Sequence, residues 1–185
     1  MGVDKSFLRW GKESLLDHAL RLAASVTQDV RIVGEANKFV NCAQPVIEDV
    51  YRQRGPLGGI HAALRNTPSD LNLMLAVDMP LIKPEFLGYL SALARETKAT
   101  VIVPSVGEGF QPLCAIYRRI FGDVAERSLR AGKNKIDALF AKTITRIVTE
   151  EELVAAGFSS EMFRNLNTPE DFQSVRSSCD LGLSP

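Results

Sequence analysis

The sequence predicts an α/β protein with a largely parallel sheet. Three observations lead there. Short apolar runs alternate with stretches of helical periodicity. Residues 71–77 are apolar almost throughout, as a strand covered on both faces must be. Acidic residues stand directly after two of the apolar runs, at the carboxyl ends where open parallel sheets bind ligands.

Taken in order, residues 12–24 read as a helix, with Leu15, Leu16, Ala19, Leu20 and Ala23 on one apolar face. Val30-Arg31-Ile32-Val33 is a strand ending at Gly34, and Pro45-Val46-Ile47 is a second short strand running into Glu48-Asp49. After Gly55-Pro56, residues 57–64 are helical. Residues 71–77 form the central strand, and Pro84 opens the next helix, where a missing backbone donor costs nothing. Residues 100–104 and 113–117 are strands separated by a Gly107-Glu108-Gly109 turn. Residues 121–130 and 133–140 are helical, and 143–148 alternate like a strand. Asn167-Thr168-Pro169-Glu170-Asp171 starts a last helix, with Thr168 as cap and Pro169 at the first position. The tail from Ser177 is expected to fray. No repeat, low-complexity segment or linker divides the chain, so residues 1–185 are expected to form one domain.

A length of 185 residues with 45% apolar content supports one sizeable core. Lys+Arg and Asp+Glu are both 22, so no general attraction to nucleic acid or an anionic membrane is expected, and any binding of phosphates is local. Cys42, Cys114 and Cys179 form no CxxC pair, which with only His18 and His61 alongside argues against a zinc site. No apolar run reaches membrane-spanning length. A cytoplasmic, reduced protein is the expectation.

Asp78 follows the apolar run directly, in Ala76-Val77-Asp78-Met79-Pro80. A hard cation such as magnesium takes a carboxylate oxygen and shares its other positions with water and substrate phosphates, so Asp78 is a candidate anchor; a solvated loop aspartate is the plain alternative. Asp49 lies equally after its strand, placed to accept from a base or ribose or only to cap a turn. Lys5 suits a transferring phosphate as a point charge, or is simply solvated. Two glycines at a helix start, Gly58 and Gly59 in Gly55-Pro56-Leu57-Gly58-Gly59-Ile60, cost roughly 1 kcal/mol each relative to alanine. Close approach of a planar base and tight helix–sheet packing account for them equally. Gln111-Pro112-Leu113-Cys114 reads as a binding edge or as a Pro-marked edge strand. Asn165 and Asn167 are rim hydrogen-bonders or entry residues of the last helix. The opening Met1-Gly2-Val3-Asp4-Lys5 looks like the middle of a phosphate-binding motif, since such a turn normally follows a buried strand.

Together, Met1-Gly2-Val3-Asp4-Lys5, Val46-Ile47-Glu48-Asp49, Gly55-Pro56-Leu57-Gly58-Gly59-Ile60, Asp78-Met79-Pro80, Gln111-Pro112-Leu113-Cys114-Ala115-Ile116-Tyr117 and Asn165-Leu166-Asn167-Thr168-Pro169-Glu170-Asp171 resemble the molybdenum cofactor guanylyltransferase family. The resemblance implies a three-layer, Rossmann-like nucleotidyltransferase fold. It implies transfer of GMP from GTP to the phosphate of molybdenum-bound molybdopterin, with release of pyrophosphate and with Mg2+ as cofactor. Lys5 matches the lysine on the GTP phosphates, Asp49 a GTP-binding aspartate and Asp78 the magnesium-binding one. Gly58 and Gly59 match the guanine-side loop, and Asn165 and Asn167 the acceptor side. Molybdoenzymes or their chaperones are the implied partners.

Two departures stand out. Gly34 replaces a polar residue common in relatives. Relatives also carry a strand and a Leu-Ala-Gly-Gly turn ahead of the Met-Gly-x-Asp-Lys at which this sequence opens. The expectation is therefore a sheet lacking its first strand, between the Val30 and Leu71 strands, and a natural product starting upstream, with activity of the present form in question. A related nucleotidyltransferase using CTP or a sugar phosphate is one alternative, and a truncated, non-catalytic nucleotide- or cofactor-binding relative is another. No G-x-G-x-x-G follows any strand, which disfavours a dinucleotide-dependent oxidoreductase.

Overall fold

Alternation along two adjacent strands sets the architecture. In β6 (Val101–Val106) and β8 (Cys114–Arg118), Val101, Val103, Ala115 and Tyr117 point to one face, while Ile102, Cys114 and Ile116 point to the other. Each set is buried under helices, so the protein has three layers. The computed structural model describes residues 5–166. Residues 1–4, Asn167, the expected Thr168-capped helix and the tail from Ser177 lie outside the described residues.

The first strands among the described residues form a hairpin that periodicity did not indicate, β1 (Arg9–Trp10) with β2 (Glu13–Ser14), turning at Gly11 in the left-handed region. Helix α1 (Leu15–Ala24) therefore starts three residues later than expected, because Ser14 caps it reciprocally with Asp17. Strands β3 (Ile32–Val33) and β4 (Val46–Ile47) pair in parallel and are shorter than the apolar runs suggested. Gly55 at φ +64° and Pro56 then open α2 (Pro56–Arg65). β5 (Leu71–Leu75) and α3 (Pro84–Glu96) follow. After β6, Gly107 at φ +58° turns the chain into β7 (Gly109–Phe110), and β8 leads to α4 (Phe121–Arg130). The helix expected over 133–140 shrinks to α5 (Asp137–Phe140), because Gly132 at φ +72° ends α4 and Lys133 is tied back to Ser128 through both its N–H and its carbonyl. β9 (Thr145–Val148) and α6 (Glu150–Ala155), the latter with a Thr149–Glu152 capping box, follow, and then a 3-10 turn over Ser160–Phe163.

Among the described residues, a five-stranded sheet runs β5-β8-β6-β7, with β9 against β6, and β3–β4 form a separate pair. The α/β architecture is as expected, but strand direction is mixed. β6 and β9 are parallel, whereas β8 runs antiparallel to both β5 and β6. The tight β6–β7 return sends the chain back the other way, and β8 inherits that direction. The edge-strand reading of the Gln111 segment is corrected by the same topology. β8 is central, and Pro112 lies ahead of its ladder, where a missing N–H leaves no rung unpaired.

One core joins Leu22 of α1, Phe86, Leu87 and Leu90 of α3 and Leu153 of α6; a second joins α2, α4 and α5 through Leu57, Ile60, Phe121, Ala125 and Leu139; a small third one joins Leu16, Ile32 and Phe39. All five residues of β5 are only half-buried, against the expectation of full cover. Its edge away from β8 lines a cavity of about 690 Å3 that is bounded on the far side by Ile32 and Val33 of β3. No described strand lies between β3 and β5.

Candidate functional site

The carboxyl ends of β3, β4 and β5 lead to one end of this cavity, where Ser6, Ile47, Gly59, Val77 and Asp78 contribute to its wall. Lys5 is half-buried next to Ser6, in a short 3-10 turn, Lys5–Phe7, that packs on α1.

Asp49 stands two residues beyond β4 and is half-buried. Its Oδ1 accepts the backbone N–H of Tyr51 at 2.7 Å, an Asx turn that fixes the carboxylate. Its Oδ2 lies against Gly58: a Cβ there would collide with Oδ2 and stand 3.0 Å from the Tyr51 carbonyl oxygen. The glycine at 58 is thus accounted for by a carboxylate of the same chain. Gly59 differs. A Cβ there would meet only Val33 Cγ1, at an ordinary 3.5 Å. The intervening loop contains Gln53 at φ +61°, a left-handed conformation for a side-chain-bearing residue.

Sequence reasoning missed the residues behind Asp49. His61 of α2 is 5% exposed, and neither ring nitrogen has a hydrogen-bond partner among the described residues. The Tyr51 ring meets it edge-on at 5.1 Å, and Glu126 Oε2 of α4 lies 3.9 Å from Nε2. Burial pushes the His61 pKa below its usual value, with Glu126 opposing. The Glu126 carboxyl is itself held low, first by the Arg65 hydrogen bond and then by the Arg130 charge. No spacing signal exposes this cluster, since His61 sits on an apolar helical face.

Asp78 occupies the turn after β5, half-buried. No hydrogen bond or ion pair engages its carboxylate among the described residues, whereas its backbone carbonyl accepts the Leu166 N–H at 2.9 Å. That bond sets Leu166, and Asn165 beside it, next to the Asp78 turn; Asn165 itself is exposed. Among the described residues no three His, Cys, Asp or Glu side chains gather to enclose a metal. One half-buried, unengaged carboxylate is the donor set that fits a hard cation completing its shell with water and phosphate oxygens. At the departure noted at Gly34, a Cβ would meet the Phe39 ring at 2.6 Å, so the ring takes the space a side chain there would need. No helix among the described residues is long and apolar enough to cross a membrane.

Comparison with known proteins places the chain in a family. Residues 1–147 match the family model of the MobA-like NTP transferase domain. The molybdenum cofactor guanylyltransferase of Syntrophotalea carbinolica is 32% identical over 179 residues, covering 95% of this chain and 84% of that protein. A probable molybdenum cofactor guanylyltransferase of Clostridium perfringens is 27% identical over 175 residues, covering 94% and 87%. Among solved structures, molybdopterin-guanine dinucleotide biosynthesis protein A from Archaeoglobus fulgidus superposes with a TM-score of 0.82 at 25% identity, covering 97% of this chain and 92% of that one. A Thermus thermophilus 2-C-methyl-D-erythritol 4-phosphate cytidylyltransferase has a TM-score of 0.68 at 14% identity, covering 95% and 94%, a likeness of fold alone.

Proposed function

The chain belongs to the MobA-like NTP transferase family and is a nucleotidyltransferase, and from that premise we propose that it transfers GMP from GTP to the phosphate of molybdenum-bound molybdopterin. An oxygen of the pterin phosphate attacks the α-phosphorus. The bond from that phosphorus to the α–β bridging oxygen breaks, and pyrophosphate leaves with the electron pair. Such a reaction asks the protein mainly for positioning and charge stabilisation.

Asp78 would hold the divalent cation, read as Mg2+, which when bound would neutralise charge on the triphosphate. Asp49, preset by Tyr51 and Gly58, accepts hydrogen bonds from the guanosine. Lys5 places a positive charge by the phosphates, and Asn165 offers amide donors towards the pterin. The observation that carries this reading is the Asp78 turn: a half-buried carboxylate with no partner among the described residues, on the wall of a cavity at the strands' carboxyl ends. It is tested by mixing the protein with GTP, Mg2+ and molybdenum-molybdopterin. Pyrophosphate and molybdopterin guanine dinucleotide are expected in equal amounts, with none from CTP. Turnover with CTP alone, or binding of GTP without pyrophosphate release, overturns it.

A further inference from the structure

The Asp78 turn is fixed at three successive carbonyls. That of Asp78 accepts from Leu166 N–H at 2.9 Å, that of Met79 from Ile82 N–H at 3.3 Å, and that of Pro80 from His18 Nε2 at 3.0 Å. Two of these donors are backbone groups. The third is a side chain, delivered by α1 across 62 positions of sequence. The imidazole is only 13% exposed, and its other nitrogen, Nδ1, lies 2.9 Å from both Glu13 Oε1 and Arg21 Nη2. Arg21 also donates to Glu13 at 2.7 Å. The Trp10 ring meets the imidazole edge-on at 6.3 Å, closing the hairpin side.

A carbonyl oxygen can only accept, so Nε2 carries the proton and donates. Nδ1 has one hydrogen-bonding site, which either accepts from Arg21 or donates to Glu13, and because Glu13 and Arg21 are bonded to each other either choice sets the same ring plane. This is the arrangement that orients a metal ligand from behind, except that it acts on the ligand's backbone rather than on its side chain. Pro80 is the one residue of the turn whose own N–H is absent, so its carbonyl offers the only backbone grip there.

We propose that His18 is a positioning residue for the metal site: through the Pro80 carbonyl it holds the Asp78 turn in the conformation that directs the Asp78 carboxylate at the nucleotide-bound divalent cation. The proposal rests on the reading of Asp78 given above. It accounts for a nearly buried histidine at the hairpin–α1 junction, where the packing alone would be served by leucine.

The test is binding of Mn2+, a paramagnetic probe for hard-oxygen sites, to the protein with GTP, followed by electron paramagnetic resonance and paired with melting temperatures. Asp78→Asn should abolish tight binding; if it binds as the wild type does, the Asp78 reading and this proposal both fall. His18→Leu should weaken Mn2+ at least tenfold while GTP binding without metal changes less than twofold. His18→Gln, whose amide N–H reaches about as far as Nε2, should restore binding to within threefold. Glu13→Ala, a change in the half-buried hairpin that serves if His18→Leu does not fold, should weaken Mn2+ about threefold through the loosened ring. Loss with Asp78→Asn but unchanged Mn2+ affinity in the His18 and Glu13 variants overturns the positioning role alone. A lowered melting temperature with unchanged affinity does the same, because it marks His18 as a staple of the fold only.

Discussion

Gly58→Ala separates a glycine kept for a ligand from one kept for a neighbouring carboxylate. The new methyl cannot enter without moving Asp49 Oδ2 or the Tyr51 carbonyl. Overpacking of this kind costs about 1–3 kcal/mol, and the helical gain of alanine over glycine returns about 1 kcal/mol. The net destabilisation is then at most ~2 kcal/mol, or a fall in Tm of up to ~8 °C in a chain this long. Function should suffer more. A displaced Asp49 forfeits a hydrogen bond to a charged acceptor, worth about 1.5–3 kcal/mol, which is roughly a 10- to 150-fold loss of kcat/KM for GTP. Steady-state pyrophosphate release with GTP varied reads this directly, and the loss should fall mainly on KM. Gly59→Ala, whose methyl meets only Val33, should hold or raise Tm. The decisive arm is the double mutant. With Asp49→Ala in place the carboxylate is gone, so adding Gly58→Ala should cost little further. Additive losses would refute the argument, because independent sites add and coupled ones do not.

Other outcomes follow from the same contacts. Asp78→Ala should abolish turnover with GTP and Mg2+ while leaving Tm within about 2 °C, since no group among the described residues bonds its carboxylate; unchanged turnover rejects it as the metal anchor. His61→Leu should stabilise the protein by about 1 kcal/mol at pH 7, because two buried nitrogens without partners among the described residues are removed, and guanidinium melts read this. The His61 pKa is depressed in the folded state, so the unfolded chain binds a proton first as pH falls below about 6.5, and wild-type stability declines there. The leucine variant should lack that part of the decline; parallel pH profiles would refute the burial argument. Glu152 is held down to about 2, first by the Arg146 hydrogen bond and then by the Thr149 N–H. Its contribution should be full above the unfolded carboxylate value near 4.5 and vanish as pH falls towards 2. With a side chain 38% exposed, the Arg146 pair contributes at most ~1 kcal/mol, so Arg146→Ala should lower stability slightly at pH 7 and not at all near pH 2.

Much of the fold was legible where periodicity had room to speak. Residues 121–130 form the helix read from the sequence, and Pro56 and Pro84 mark real helix starts. Two-residue strands have no period, which is why the Arg9–Ser14 hairpin went unread and β3 and β4 came out shorter than their apolar runs. Helix α6 was missed for another reason: its only buried residue is Leu153, so its signal was the Thr149–Glu152 capping box and not an apolar face. The central place of β8 depends on pairing with β5, 39 to 47 positions earlier in sequence, which no local pattern encodes.

At the site, the legible part was chemical and the illegible part was conformational. Asp49 and Asp78 announced themselves because an acid after an apolar run lies at the carboxyl end of a strand whatever the neighbouring topology. What holds them in place comes from elsewhere in the chain: the Tyr51 N–H and the empty side of Gly58 for Asp49, and the backbone grip of Leu166 and His18 on the Asp78 turn. The two carboxylates are supported differently. One Asp49 oxygen is already committed to its own chain, which suits a group that selects among nucleotide donors. Neither Asp78 oxygen is engaged by a described residue, which suits a group that must give its full charge to a cation. On the function proposed above, that difference suits Asp49 to selection and Asp78 to charge, and it predicts that Asp49→Asn raises KM for GTP while Asp78→Asn lowers kcat. Equal effects of the two substitutions on both parameters would show that the carboxylates share one role.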